Sequence, residues 1–307
     1  MKTELSLTAC LALTLAIACQ PSSTRESTIA PTNTSEDVGT TPQADPTILG
    51  GQRYDKWFKV EGYAGGFSPD KKDTEVVDGA AGPRGDGTLN NGNGEPLPNT
   101  GHDYRLKNLF GWDLRGAEGI YGPTYQNKSY VSPLNLLSDD RPRAELLEWF
   151  TAGDEMLPAY GDVMTASEIE SLVDFILAVR EGALPRPEQI FALSAEAPKN
   201  YTLMPGADPK AGTELFGQRC SGCHGDAGEA IVIDGIYTVG AFGRAKAYEG
   251  WLKVLSGHPG SPMSRQSSDA QEILNLFAAL CDRAAFPPLS DEHEVADGDL
   301  RCGAYLK

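Results

Sequence analysis

Apolar residues in this chain gather into a few helical stripes separated by long polar stretches. Across about 269–283, Ile273, Leu276, Phe277 and Leu280 recur at helical spacing and predict a helix. Trp251, Leu252 and Leu255 share one side of a second, over about 245–256. A third is predicted over about 209–219, and the Gly-rich stretch Gly225–Gly243 is read as a loop. Residues 183–204 carry Pro185, Pro187 and Pro198 and read as a linker ordered along the surface. Leu5 to Ala18 is apolar but too short to cross a membrane. Gln20 to Pro46 is rich in Ser, Thr, Pro and Asp with almost no apolar residue, the composition of a disordered tether, here expected to run over 19–53. With 34 Gly and 21 Pro, short helices and long loops are expected, so the fold class is mainly α.

The most informative chemistry lies between two of these elements. Cys220-Ser221-Gly222-Cys223-His224 has the spacing of a c-type heme attachment site. Two thiols three positions apart can each form a thioether to a porphyrin vinyl group. The histidine that follows can supply the proximal nitrogen to the iron. A zinc site would need two further ligands, and His102, His258, His293, Cys281 and Cys302 do not form a second C-x-x-C or a matching pair. A thioredoxin motif would follow a strand, whereas this one follows a helical turn. The reading is one covalent heme c held by Cys220, Cys223 and His224.

From Pro205 onward, the order helix, C-x-x-C-H, long loop, helix, loop, helix resembles a class I cytochrome c domain. The resemblance covers 205–307 and implies a crossing of the first and last helices. It also implies a sixth iron ligand in the loop Gly257-His258-Pro259-Gly260-Ser261-Pro262-Met263. Met263 is the leading candidate for that position and His258 the alternative. A thioether would favour ferrous iron more than a second imidazole would.

The preceding region carries a second, weaker copy. Leu109-Phe110-Gly111 matches Leu215-Phe216-Gly217, which sets Leu114, Ala117 and Glu118 opposite Cys220, Cys223 and His224. Residues 147–179 lie over 251–283, with Gly153 on Gly257, Pro158 on Pro262, Glu168-Ile169 on Glu272-Ile273 and Leu172 on Leu276. Residues 54–182 therefore resemble a second cytochrome c domain without its heme motif. His102 and Met156 are read as structural there, and Trp112, Tyr121, Tyr125 and Tyr130 as filling the former cofactor space. The architecture expected is two tandem cytochrome c-like helical domains joined by 183–204.

Residues 1–18 read as an export signal, with Ala16-Ile17-Ala18 as a cleavage sequence. Ala-Ile-Ala-Cys also resembles a bacterial lipobox, which implies a lipid on Cys19. Periplasmic residence with a lipid anchor on the outer membrane is the expectation. There Cys281 and Cys302 are expected to pair as a disulfide. The formal net charge of −17 disfavours nucleic acid and anionic lipid surfaces as partners and suits a basic or mixed-charge redox protein. The function expected is an electron carrier rather than a catalyst. The alternative is a heme-bearing subunit of a periplasmic oxidoreductase, with residues 54–182 as a partner-binding module.

Overall fold

The triplet Ala-Asp-Pro occurs at 44–46 and again at 207–209, and each copy starts a helix. A computed structural model describes residues 45–65, 84, 87–97, 104–125, 128 and 130–307, the side chains of 124 and 125 excepted. These belong to one compact unit, Pro42–Lys307. The export signal, Cys19, the tether up to residue 44, His102 and the side chain of Tyr125 lie outside the described residues. In chain order the helices are α1 (Pro46–Lys56), α2 (Leu106–Leu109), α3 (Gly122–Tyr125), α4 (Arg143–Ala152), α5 (Ala166–Arg180), α6 (Pro209–Arg219), α7 (Ser221–His224), α8 (Val239–Ser256) and α9 (Ala270–Leu280). Two short strands, β1 (Phe191–Leu193) and β2 (Tyr201–Leu203), separate α5 from α6. The mainly α expectation holds.

The two Asp-Pro helices start alike. The Asp45 carboxylate accepts from the Thr47 N–H at 2.9 Å, and that of Asp208 from Lys210 and Ala211 N–H at 2.9 and 3.2 Å. Each proline occupies the first turn, where its missing N–H is not needed. They also pack alike. α1 crosses α5 and α6 crosses α9. A Cβ on Gly50 would collide with the Ser171 carbonyl oxygen and the Phe175 side chain; one on Gly212 would collide with the Asn275 carbonyl and Ala279. Ser171 and Phe175 stand 104 positions before Asn275 and Ala279, the same register as Glu168 and Glu272. Glycine lets the helices touch backbone to backbone at both crossings.

This packing corrects two expectations. Residues 46–53 are helical, and Gly50, Gly51 and Arg53 are buried, so they are not part of the tether. Gly50 is what the crossing with α5 requires, and Gly51 lies against the Ser256 side chain of α8. The repeat register through Leu109-Phe110-Gly111 also fails. α1, not α2, takes against α5 the place α6 takes against α9. With Gly50 on Gly212, Phe58, Glu61 and Gly62 stand opposite Cys220, Cys223 and His224, in place of Leu114, Ala117 and Glu118.

α4 ends at Gly153 and packs on α5; α8 ends at Gly257 and packs on α9. α8 begins at Val239, earlier than expected, because the Thr238 hydroxyl caps Ala241 N–H. The loop read through Gly243 thus stops at Thr238. Gly240 and Gly243 lie where Phe286 and Leu280 leave no room for a side chain.

The core of the first half is aromatic. Trp57 Nε1–H and Tyr160 Oη–H both donate to the Tyr104 carbonyl, at 3.0 and 2.8 Å, and Phe110 and Phe150 close the cluster. Of the expected fillers, Trp112 and Tyr121 are buried and Tyr130 is partly buried. Trp112, however, sits at the seam with the second half, where its carbonyl accepts from Trp251 Nε1 at 3.1 Å. The segment 183–204 is more than a surface linker. β1 and β2 pair antiparallel with Phe191 opposite Leu203, and Ile190, Phe191 and Tyr201 are buried. Asn200 donates to the Gly119 carbonyl in the first half, and Tyr201 accepts from Ala247 N–H in the second. The chain ends in a turn held by the Cys281–Cys302 disulfide.

Candidate functional site

Cys220 closes α6 and opens α7. The single turn that follows is fixed by Cys223 and His224 N–H groups donating to the Cys220 carbonyl, at 3.1 and 2.9 Å, and it ends at Gly225. The i, i+3 spacing puts both thiols on one side of that turn, with His224 one position further. Cys220 is half-buried and Cys223 exposed; both are free thiols, whereas Cys281 and Cys302 are bonded. Burial, aided by the neighbouring Cys223 and opposed by Arg219, pushes the Cys220 thiol up to about 11. A thiol–disulfide enzyme needs the opposite shift, because the thiolate is the nucleophile. Among the described residues no group of three or more His, Cys, Asp or Glu side chains converges.

His224 is half-buried, and burial lowers its pKa, which favours the neutral imidazole with a free lone pair. Its Nδ1 is buried without a hydrogen-bond partner. A buried nitrogen left unpaired costs free energy, which only a partner at Nδ1 itself would offset. The His224 carbonyl accepts from Ala230 N–H at 2.8 Å, which turns the next loop back beside the motif. Directly after it, Ile231 and Val232 are 43% and 42% exposed, large apolar side chains without a protein cover. Two free thiols on one turn, a neutral imidazole with an orphaned nitrogen and an uncovered apolar pair fit a covalently held porphyrin.

The loop after α8 carries the other two candidates. Met263 is half-buried; its N–H donates to Ser261 Oγ at 3.2 Å and its carbonyl accepts from His258 N–H at 3.0 Å. The His258 imidazole is pushed down to about 4 by partial desolvation and by the charge of Lys253, with Asp55 opposing and Lys107 and Lys56 adding to the fall. Both side chains are therefore uncharged donors at neutral pH. The structure carries Cys220, Cys223 and His224 on one turn; it leaves Met263 and His258 on their own loop, and no described hydrogen bond joins either to His224.

A cleft of about 740 Å³ lies beside the start of α9, and none of the five candidate ligands is in its wall. Arg219, just before Cys220, and Ser264, just after Met263, line it together with Gln266, Ser267, Asp269 and Glu272. Arg219 pairs with Glu272 at 2.8 Å and donates to the Gln266 carbonyl at 2.7 Å. Sequence spacing did not single out Arg219; the only signal is its place beside the first thiol. In the first half, Met156 is 59% exposed on the loop after α4, a surface position rather than a core one.

No described helix is long and apolar enough to cross a membrane. Comparison with protein-family models, curated proteins and solved structures finds no match to this chain.

Proposed function

We propose that this chain is a monoheme c-type cytochrome that passes single electrons between redox proteins outside the cytoplasm. The observation that carries the reading is the turn Cys220–His224, where two unbridged thiols and a neutral imidazole share three and four residue spacings. Cys220 and Cys223 anchor the porphyrin through thioethers, and His224 supplies the proximal nitrogen. Met263 supplies the distal sulfur, with His258 the alternative from the same loop. Heme c, when bound, supplies a ferric–ferrous couple. If His224 and Met263 both bound the iron, no site would stay open for substrate, which favours a carrier over an enzyme.

Residues 1–44 would deliver and hold this carrier: the export signal takes it to the periplasm, and a lipid on Cys19 tethers it to the outer membrane. The net charge of −17 selects partners with basic docking faces. The deciding experiment is a pyridine hemochrome assay on chain exported from a host with a c-type maturation system. One covalent heme per chain is expected. A heme-free product, or two hemes per chain, would overturn the reading.

A further inference from the structure

The first half of the chain holds the loop that carries Met263. α1 fastens both ends of that loop. Gln52 Nε2 donates to the carbonyl of Ser256, the last residue of α8, at 3.0 Å. Beyond the loop, Arg265 donates to Asp45 Oδ2 and to Thr47 Oγ1, both at 2.7 Å. Asp55 pairs with Lys253 in the last turn of α8. Asp45, Gln52 and Asp55 fall at i, i+7 and i+10, one face of the helix. In the middle, a Cβ on Gly260 would lie 3.1 Å from the carbonyl oxygen of Lys59, so the tip of the loop rests on the chain just after α1.

The equivalent loop of the first half is fastened by other segments: Gly92 N–H donates to the Asp154 carbonyl and Ala159 N–H to the Asn90 carbonyl, both at 2.8 Å. After α4, the Asp154 carboxylate accepts from Met156 and Leu157 N–H and from Trp149 Nε1, all at 2.7 Å, and closes the loop on itself. His258 stands where Asp154 stands, one residue past the capping glycine. Its side chain supplies no such closure among the described hydrogen bonds; the loop after α8 is held by bonds of its own backbone, by Arg265 Nε donating to the Leu255 carbonyl at 2.7 Å, and by the contacts from α1.

Resting on the cytochrome reading, we propose that α1 is a positioning element for the distal ligand: Gln52, Asp45 and Thr47 hold the loop 257–265 so that Met263 is presented to the iron in one arrangement. The heme-free half is retained for this mechanical role. Holding a ligand loop rigid favours the ligated arrangement over open ones and stabilises one coordination state in both oxidation states.

The test uses the full chain with Gln52→Ala, with Arg265→Ala and with both. Arg143→Ala, which removes only an exposed pair with Asp174, is the control. Amide hydrogen exchange is read at His258, Ser261 and Gln266, whose N–H groups are bonded in and around the loop. Exchange there is expected to rise about tenfold or more, the equivalent of one lost hydrogen bond, with α9 amides unchanged. The charge-transfer band of thioether-ligated ferric iron should weaken and the reduction potential fall, and Arg265→Lys should restore part of both. Unchanged loop exchange would overturn the clamp. Faster exchange with an unchanged band and potential would overturn the positioning role. Failure of the cytochrome reading shows separately, as wild-type chain without heme; loop exchange still decides the clamp in that chain.

Discussion

Asp55 and Lys253 form an ion pair across 198 positions of sequence, and Asp55 is almost fully buried. Its other oxygen pairs with Lys107, which is buried as well. Both ammonium groups also lie over the Trp112 ring, at 4.0 Å for Lys107 and 5.4 Å for Lys253. One carboxylate therefore serves two cations from the two halves of the chain. Asp55→Asn would remove the carboxylate that both ammonium groups pair with. A loss of about 3–5 kcal/mol is expected, the usual result of breaking a buried pair from one side. Urea unfolding at neutral pH measures it.

The same residue sets an acid limb. Burial alone would raise the Asp55 pKa, but Lys107 and Lys253 outweigh it and hold the carboxyl well below its ordinary value of 3.8. A depressed carboxylate stabilises the fold fully above its unfolded pKa and loses that contribution as pH falls toward the folded one. Stability should therefore drop below about pH 4. Asp55→Asn should show a shallower drop over the same window. Parallel acid limbs in the two proteins would contradict the assignment.

Gly212→Ala should destabilise by about 1–3 kcal/mol, because the new methyl group must push α6 off the Asn275 carbonyl. Gly50→Ala should do the same at the α1–α5 crossing. An exposed glycine without near neighbours, Gly217, provides the contrast; alanine there should stabilise the helix slightly. Melting temperatures of the three variants check the ranking.

Replacing Cys281 and Cys302 together by serine should cost about 3 kcal/mol, in line with the loop that the bond closes. Adding reductant to the wild-type chain should reproduce the shift in urea midpoint. It should leave the free thiols of Cys220 and Cys223 unaffected.

Cys220→Ser with Cys223→Ser should abolish covalent heme while leaving the helical circular dichroism unchanged, since neither thiol is a core residue. Heme staining of denatured chain reads the first effect. Retained staining would show that the porphyrin is attached elsewhere.

Much of the second half was legible because its signals are local. The stripe Ile273, Leu276, Phe277 and Leu280 marks α9 within a few residues, and C-x-x-C-H lies on one turn, as its spacing requires. The disulfide followed from the two cysteines left over. What escaped was set by distant contacts. α1 reads as the end of the tether because it follows directly on the Ser-, Thr-, Pro- and Asp-rich stretch, and its two glycines are explained only by distant groups, the Ser171 carbonyl for Gly50 and the Ser256 side chain for Gly51. β1 and β2 have three residues each, too few for an alternating pattern to emerge, and their pairing depends on Phe191 and Tyr201 reaching a common core. The Met263 loop carries no local sign that Gln52 and Arg265 hold it.

The link between Asp45 and Arg265 spans 220 positions. As synthesis proceeds from the N-terminus, α1 emerges first, yet its partner α5 follows more than a hundred residues later and Arg265 later still. The earliest of the described helices is thus among the last to be secured. Closing so long a span costs chain entropy before the contacts that repay it can form.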